Sequence, residues 1–411
     1  MGTKILLFTA SAIVLLSTFY QFALRDFIFI TLGVGRHHQK ISEFPYKCRR
    51  LHSPLLESCE DMVIDEEGRA LYAACSSVAS RREWSPGGDK YDISARDLRD
   101  HVSVLDLDHP GEDGLFGLRT LTITGDYRSS SGGKEIDVHG LDVEHLSPTR
   151  LRFWMINHRP PVDAEGNALD PKVVGANSTI EVFEHEKGSQ NLEWIRTISD
   201  DAVSTPNNLV AAGDGGVLIT NDHTSKTGRL RRLEMILGGG SVAYCPPTSL
   251  SSPTQTCNLA LTTAFKFANG IALLPNNEVL VAHSAKGHLT SHTFFPSNRT
   301  LSPGQTIPVN MPMDNLSVDI HGDIYVAAFP KVLALIEAMD GEKRPDGEWV
   351  EIPSTVFRVR KEGATWVVEK VLEDVEGSVL PGSTVAARDG VTGMLWLGGV
   401  ASPFVGVCVP V

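Results

Sequence analysis

The chain repeats one pattern of polar and apolar positions six times. In each copy a small or polar pair precedes a short alternating apolar strand, a turn rich in Gly, Asn and Asp, and a second apolar strand. The copies begin at Glu60, His139, Asn207, Asn269, Asp314 and Gly382. Repeats of this length, each with several β-rich segments, are typical of propellers built from four-stranded blades. The pattern therefore predicts an all-β protein, a six-bladed β-propeller.

The polar pairs that open the copies are expected to crowd around one end of the central channel, because the innermost strand of each blade begins there. They are Glu60-Asp61, His139-Gly140, Asn207-Asn208, Asn269-Gly270, Asp314-Asn315 and Gly382-Ser383. Buried carboxylates and amides are costly to desolvate unless a cation lies among them. Calcium, which accepts six to eight oxygens in irregular geometry, is favoured over magnesium and zinc. The alternative interpretation is that Asn and Asp only begin turns at these positions.

The first 40 residues differ from the rest of the chain. No charged residue occurs from Ile5 to Leu24, which suits a membrane-spanning helix, and Phe27 to Val34 extends the apolar character. We expect residues 1–40 to be a hydrophobic signal-anchor and residues 41–411 to be the propeller. An anchor is favoured over a cleaved signal peptide, since no small-residue cleavage site is evident. The basic residues after the segment would leave the body in the cytoplasm.

Cysteines and glycosylation sequons oppose that orientation. Six cysteines occur, at positions 48, 59, 75, 245, 257 and 408. A bridge from Cys48 to Cys408 would join the first strand to the last, and Cys245 with Cys257 would close a local loop. Cys59 and Cys75 are then left as a third pair, for which free buried thiols are the alternative. Sequons begin at Asn177 and Asn298. We therefore expect a protein of the secretory pathway, extracellular or membrane-anchored with a lumenal body.

The charge and the motifs narrow the function further. The formal net charge is −13 and no Lys/Arg cluster occurs, which argues against a nucleic-acid partner. The sequence contains no G-x-S-x-G elbow, no H-E-x-x-H motif, no P-loop and no dinucleotide fingerprint.

Short motifs in a fixed order resemble those of the serum paraoxonase/arylesterase family from about Cys48 to Cys408. They are Cys59-Glu60-Asp61, His139-Gly140, Asn157-His158-Arg159-Pro160, STIEVF from Ser178, TNDH from Thr220, FANGI from Phe267, DNLSVD from Asp314 and GSVLPGSTVA from Gly377. The resemblance implies a propeller with two calcium ions in its channel, a terminal Cys48–Cys408 bridge and a retained hydrophobic N-terminus.

The same resemblance implies roles for individual residues. The catalytic ion would be held by Glu60, Asn207, Asn269, Asp314 and Asn315. The deeper, structural ion would be held by Asp61, the carbonyl of Leu141 and Asn208, where family members commonly carry Asp. His139 would be the base that activates water, and His158 would orient it.

The expected function is calcium-dependent hydrolysis of lactones and aryl esters, which makes a small lactone or ester the substrate. Phe329 stands where the family often has a polar side chain, so a more apolar mouth is expected, and residues 247–253 and 338–348 are predicted insertions that shape substrate choice. Two other hypotheses are a non-enzymatic, calcium-stabilised propeller that binds a partner and a gluconolactonase-like hydrolase of sugar lactones.

Overall fold

Six antiparallel sheets follow one another along the chain in the computed structural model, which describes residues 2–247, 256–341 and 350–411. Each sheet is a blade whose strands run in chain order from the channel outward, with two exceptions. Thr122–Thr124 lies at the outer edge of the second blade, and the first strand of the chain forms the outer edge of the last. Residues 248–253 and 342–348 of the two predicted insertions lie outside the described residues. The six-bladed propeller is confirmed.

The blades are numbered in chain order, and the strands of each follow from the innermost outward. Blade 1 contains Asp61–Asp65, Ala70–Cys75, His101–Asp106 and Arg119–Thr120. Blade 2 contains Val138–Ser147, Arg150–Arg159, Asn177–Glu186 and Asn191–Ile198, with Thr122–Thr124 added in parallel at its edge. Blade 3 contains Pro206–Ala211, Val217–Asn221, Gly240–Cys245 and Asn258–Phe265. Blade 4 contains Ala268–Leu274, Glu278–His283 and His288–Phe295, the last paired with both Thr300–Leu301 and Gln305–Pro308. Blade 5 contains Met313–Val318, Ile324–Ala328, Ser354–Glu362 and Thr365–Asp374. Blade 6 contains Val385–Arg388, Leu395–Gly398, Val405–Pro410 and Tyr46–Leu51.

Apolar side chains hold each blade to the next. Six buried clusters each join two neighbouring blades, and the strands alternate so that one face of every sheet enters each cluster. Large side chains such as Trp154, Trp396 and Phe153 are fully buried in them. Because burial of apolar surface is the main favourable term in folding, the ring is stabilised by contacts between blades as much as within them.

The two ends of the chain close the ring in blade 6. Tyr46–Leu51 pairs antiparallel with Val405–Pro410, and Cys48 lies opposite Cys408, to which it is bonded. The disulfide closes a loop with a sequence separation of 360, which in the chain-entropy picture contributes about 6 kcal/mol. The predicted Cys48–Cys408 bridge is confirmed. The pairing of the other four cysteines is open in the sequence, and the structure shows Cys59–Cys75 and Cys245–Cys257.

Short helices lie outside the blades. They are α1 (Gly2–Phe19), α2 (Val78–Glu83), α3 (Pro171–Val174), α4 (Gly228–Leu237) and α5 (Val332–Met339). Helical turns continue α1 through Tyr20–Leu24 and Phe27–Thr31, and Thr9–Thr31 is long and apolar enough to cross a membrane. This span begins and ends later in the chain than the predicted Ile5–Leu24. The separation into residues 1–40 and 41–411 stays a prediction.

Candidate metal centre and active site

Backbone bulges occur at the polar pairs in four of the blades. The pairing of the innermost strand with its neighbour shifts at His139-Gly140, at Asn207, at Asn269-Gly270 and at Asp314-Asn315. A β-bulge bends a strand and re-aims the side chains next to it. The repeated polar position therefore coincides with the irregularity that turns these side chains into the channel.

Glycine follows the functional residue in two of these pairs because the innermost strands approach each other closely. A Cβ atom at Gly270 would stand 2.6 Å from the carbonyl oxygen of Asp314, and one at Gly140 would stand 3.1 Å from that of Asn207. Contacts this short exclude larger side chains. The glycines bring neighbouring blades near enough for their polar side chains to share one cavity.

A cavity of about 320 Å³ lies at the mouth of the channel. Glu60, His139, Asn207, Asn269 and Asp314 all line it, so the structure brings these five predicted site residues together. The side chains of Glu60, Asn207 and Asn269 are almost fully buried. One oxygen of each of these three, Oε2 of Glu60 and Oδ1 of the two asparagines, has no hydrogen-bond partner. Such orphaned oxygens are what a cation would satisfy.

The electrostatics of the cavity also fit a cation. Burial, and next the charge of Asp314, raises the pKa of Glu60. Burial raises the pKa of Asp314, against a hydrogen bond from Asn269. Two buried carboxylates in one cavity repel each other unless a positive ion is bound between them. Among the described residues no group of three or more His, Cys, Asp or Glu side chains is arranged to hold a metal, so the two carboxylates depend on the amides to complete the set.

Asn315 differs from the other four predicted ligands of the catalytic ion. It is fully buried beneath the cavity, and its Nδ2 donates to Glu60 Oε1 at 2.9 Å. Its Oδ1 accepts from Asn208 Nδ2 at 2.6 Å. Asn315 therefore supports Glu60 and presents no free oxygen to the cavity.

His139 and His158 are neighbours. His139 lines the edge of the cavity, and His158 lies behind His139. Their ring centroids are 5.0 Å apart, and Nε2 of His139 lies 3.7 Å from Glu60 Oε1. His158 does not line the mouth cavity and is held by a 2.9 Å contact between its Nδ1 and Ser178 Oγ. Burial lowers the pKa of His139 well below its usual range and that of His158 to about 3. Both rings are therefore neutral at neutral pH.

An ion-pair network holds one side of the mouth. The repeat pattern of the sequence gives no signal for it. Arg231 of α4 is buried and donates to both carboxylate oxygens of Asp222 at 3.2 Å and to Asp89 at 2.7 Å. It also donates to the carbonyls of Pro86 and Gly87, whose turn lies over His139 and Asn207. Burial by itself would raise the pKa of Asp222, but Arg231 and His223 hold it at about 2. This network joins α4 and the turn over the cavity to the propeller.

Most of the cavity wall is apolar, with Lys90 and Asp340 as its charged members. Phe267, Phe329, Met235 of α4, and Leu335 and Ile336 of α5 line it above the polar floor. Phe329 is buried, which agrees with the more apolar mouth that its position predicts. The site thus combines a polar, cation-seeking floor with an apolar wall.

Comparison with known proteins identifies the family. The family model described as "Arylesterase" matches residues 138–401, which is more than half of the chain. The chain belongs to the arylesterase family. Among curated members, serum paraoxonase/arylesterase 1 of Rattus norvegicus is 28% identical over 215 residues, 52% of this chain and 56% of that protein. The Homo sapiens protein of the same name is 29% identical over 264 residues, 60% of this chain and 70% of that protein.

The match covers part of this chain and part of its relatives. The chain spans only a little over half the length of the rat arylesterase. The family match begins after Glu60 and Asp61. The structure places Glu60 in the mouth cavity and Asp61 against Asn208. Among solved structures, a gluconolactonase from Xanthomonas campestris is 15% identical with a TM-score of 0.43, covering 89% of this chain and 96% of that one.

Proposed function

We propose that the chain is a calcium-dependent hydrolase of lactones and aryl esters. One observation carries the proposal: the unpartnered oxygens of Glu60, Asn207 and Asn269 share a cavity with Asp314 and His139, beneath an apolar wall. Membership of the arylesterase family supports it.

Glu60, Asn207, Asn269 and Asp314 are the residues that would hold the ion. Hard oxygen donors from carboxylates and amides suit calcium, whereas among the described residues no cysteine and only one imidazole lines this cavity. When bound, calcium supplies a positive charge that polarises an ester carbonyl and stabilises the negative charge its oxygen gains.

His139 is the residue placed to move the proton. Its Nε2 lies 3.7 Å from Glu60 Oε1 and its ring lines the cavity, so it can accept a proton from water that attacks the carbonyl. A neutral ring that accepts at Nε2 carries its hydrogen on Nδ1. His158, fixed by Ser178, packs against His139 and is a positioning residue.

The apolar wall supports lipophilic substrates over sugar lactones. Phe267, Phe329 and the side chains of α4 and α5 that line the wall offer no hydrogen bonds to a ring that carries several hydroxyl groups. We therefore assign lactones with hydrocarbon chains and aryl esters as substrates, and a gluconolactonase-like activity is the alternative.

The disulfides and the apolar span support a lumenal or extracellular body attached to a membrane. Three disulfides suit an oxidising compartment. Thr31, at the end of the apolar span, lines the mouth cavity, so an anchored protein would hold its opening near the bilayer. Asn298 is exposed and Asn177 half-buried, and both stay predicted glycosylation sites.

Turnover of a long-chain lactone, an aryl ester and a sugar lactone by the purified protein, with calcium or with a chelator, tests the proposal. We expect the first two to be hydrolysed only with calcium. His139→Gln should lower kcat by about 100-fold or more while calcium binding persists, since general base catalysis contributes that much. His109→Gln, at an exposed histidine, is the matched control. Absence of any turnover by the unaltered protein would favour the partner-binding propeller instead.

A further inference from the structure

Four buried side chains form one hydrogen-bond network across the channel below the mouth cavity. Asn208 Nδ2 donates to Asp61 Oδ2 at 3.1 Å and to Asn315 Oδ1 at 2.6 Å. Asn315 Nδ2 in turn donates to Glu60 Oε1 at 2.9 Å. This network connects the predicted position of the second ion, at Asp61 and Asn208, to the floor of the mouth cavity.

The two carboxylates fix the orientation of both amides. Asp61, when ionised, can only accept, so the NH₂ group of Asn208 must face it. The second proton of that NH₂ group then faces Asn315, whose oxygen receives it. The NH₂ group of Asn315 is thereby turned towards Glu60, whose Oε1 accepts from it. The orientation of the Asn208 amide thus determines the orientation of the Asn315 amide.

Every side-chain oxygen of Asp61 and Asn208 already accepts at least one hydrogen bond from the protein. Asp61 Oδ1 accepts from the backbone N–H of Met62 at 2.9 Å, and Oδ2 also accepts from that of Leu141 at 3.0 Å. Asn208 Oδ1 accepts from the backbone N–H of Leu209 at 2.8 Å. This is the opposite of the mouth, where three buried oxygens lack partners.

The inner position also carries less negative charge than the mouth, where Glu60 and Asp314 both line the cavity. Asp61 is the only carboxylate in the pair, because residue 208 is Asn where the family resemblance leads one to expect Asp. Calcium affinity depends on the number of charged ligands, and an ion at Asp61 Oδ2 would compete with the NH₂ group of Asn208 for that oxygen. That NH₂ group already supplies Asp61 with a positive partial charge.

We infer that this chain binds a single divalent ion, at the mouth, and that the amide group of Asn208 takes the place of the second. The inference rests on the proposed function, because it assumes that the mouth residues bind calcium. It replaces the expectation that Asp61, Leu141 and Asn208 form a second calcium site, because the side chains of Asp61 and Asn208 are hydrogen-bonded to each other.

Metal content measured on the full-length protein tests the inference. After equilibration with calcium and removal of the free ion, we expect one equivalent in the unaltered protein and two in Asn208→Asp, which gains a carboxylate beside Asp61. Asn191→Asp, which adds the same charge at an exposed position, should retain one. Two equivalents in the unaltered protein would overturn this inference alone. None in the unaltered protein would overturn the proposed calcium-dependent function as well.

Thermal unfolding of the same variants provides a second readout that does not depend on activity. In chelator, Asn208→Asp should have a lower Tm than the unaltered protein, since two carboxylates then face each other in a buried site. Calcium should raise the Tm of Asn208→Asp by more than it raises that of the unaltered protein. An equal calcium-induced shift in both proteins would contradict the inference.

Discussion

The two ends of the polar channel contain similar side chains and yet differ in how those side chains are satisfied. At the mouth, oxygens of Glu60, Asn207 and Asn269 are buried without partners. At the inner position, Asp61 and Asn208 are fully paired within the protein. Composition is therefore a weaker guide to a metal site than the count of oxygens that remain unpaired. The unpaired oxygens at the mouth are available to a cation, whereas those at the inner position already accept hydrogen bonds from the protein.

The largest effect that would test this difference is expected at Glu60. Glu60→Gln keeps the bond from Asn315 but removes a charge from the mouth. Calcium affinity and lactone turnover should each fall by about 100-fold or more, because charge count sets the affinity of calcium sites. In chelator the variant should be more stable than the unaltered protein, because a buried carboxylate near Asp314 is lost. Calcium titration, kinetics and Tm in chelator measure these effects, and retained calcium affinity would contradict the assignment of the mouth as the metal site.

The next effect concerns the ion pairs that hold the mouth in shape. Arg231→Ala leaves Asp222 buried without its cation and should reduce the free energy of unfolding by about 3–5 kcal/mol, as for other broken buried pairs. Urea unfolding measures the loss. Arg229→Ala, at an exposed position of the same helix, should change stability little. A loss as small as that of the control would show that Arg231 is not needed to hold α4.

A smaller effect is expected at the inner position. Asp61→Asn places a second NH₂ group against the donors of Asn208 and the backbone, so at least one of these buried donors loses its acceptor. The free energy of unfolding should fall by about 3 kcal/mol, in chelator and in calcium alike, because each unsatisfied buried group costs about 1–3 kcal/mol. Calcium stoichiometry should stay as it is in the unaltered protein. Loss of a calcium equivalent in this variant would place an ion at Asp61 and remove the contrast between the two positions.

The smallest effect is a pH dependence caused by His158. Its pKa is lowered to about 3 in the folded protein, whereas an unfolded histidine has a pKa of about 6.5. Between these values the unfolded state binds the extra proton, so the contribution of His158 is complete above pH 6.5 and is lost as the pH falls. His158→Gln should remove about 1.4 kcal/mol per pH unit from the slope of stability below pH 6.5. Urea unfolding at about pH 7, 6 and 5 measures the slope, and identical slopes in both proteins would contradict a depressed pKa.

The fold could be predicted from the sequence because the ring repeats one local rule. Each innermost strand begins at a polar pair such as Asn207-Asn208 or Asp314-Asn315, so six copies of the pair count six blades. The joining of the first strand to the last was predictable too, since Cys48 and Cys408 are the first and last cysteines, and they are bonded in blade 6. The same radial arrangement explains why Glu60, Asn207, Asn269 and Asp314, far apart along the chain, line one cavity.

Other parts of the site could not be predicted because they depend on partners. Asn207 and Asn208 are adjacent and chemically identical, but one has a free oxygen and the other is fully paired, and only their neighbours in other blades decide this. Arg231 belongs to a helix with two further arginines, and nothing in that sequence shows which of them is buried. The turn at Pro86–Gly88, which lies over the cavity, likewise has no repeat-based signal.

The pairing of Tyr46–Leu51 with Val405–Pro410 has a consequence for the order of events during synthesis. The strand made first must wait for the strand made last, so the ring stays open until almost the whole described body has left the ribosome. During that interval blades 1 and 5 expose apolar faces that blade 6 later covers, and such faces are prone to misassembly. The nascent protein should therefore depend on chaperones and on disulfide exchange more than its final stability suggests.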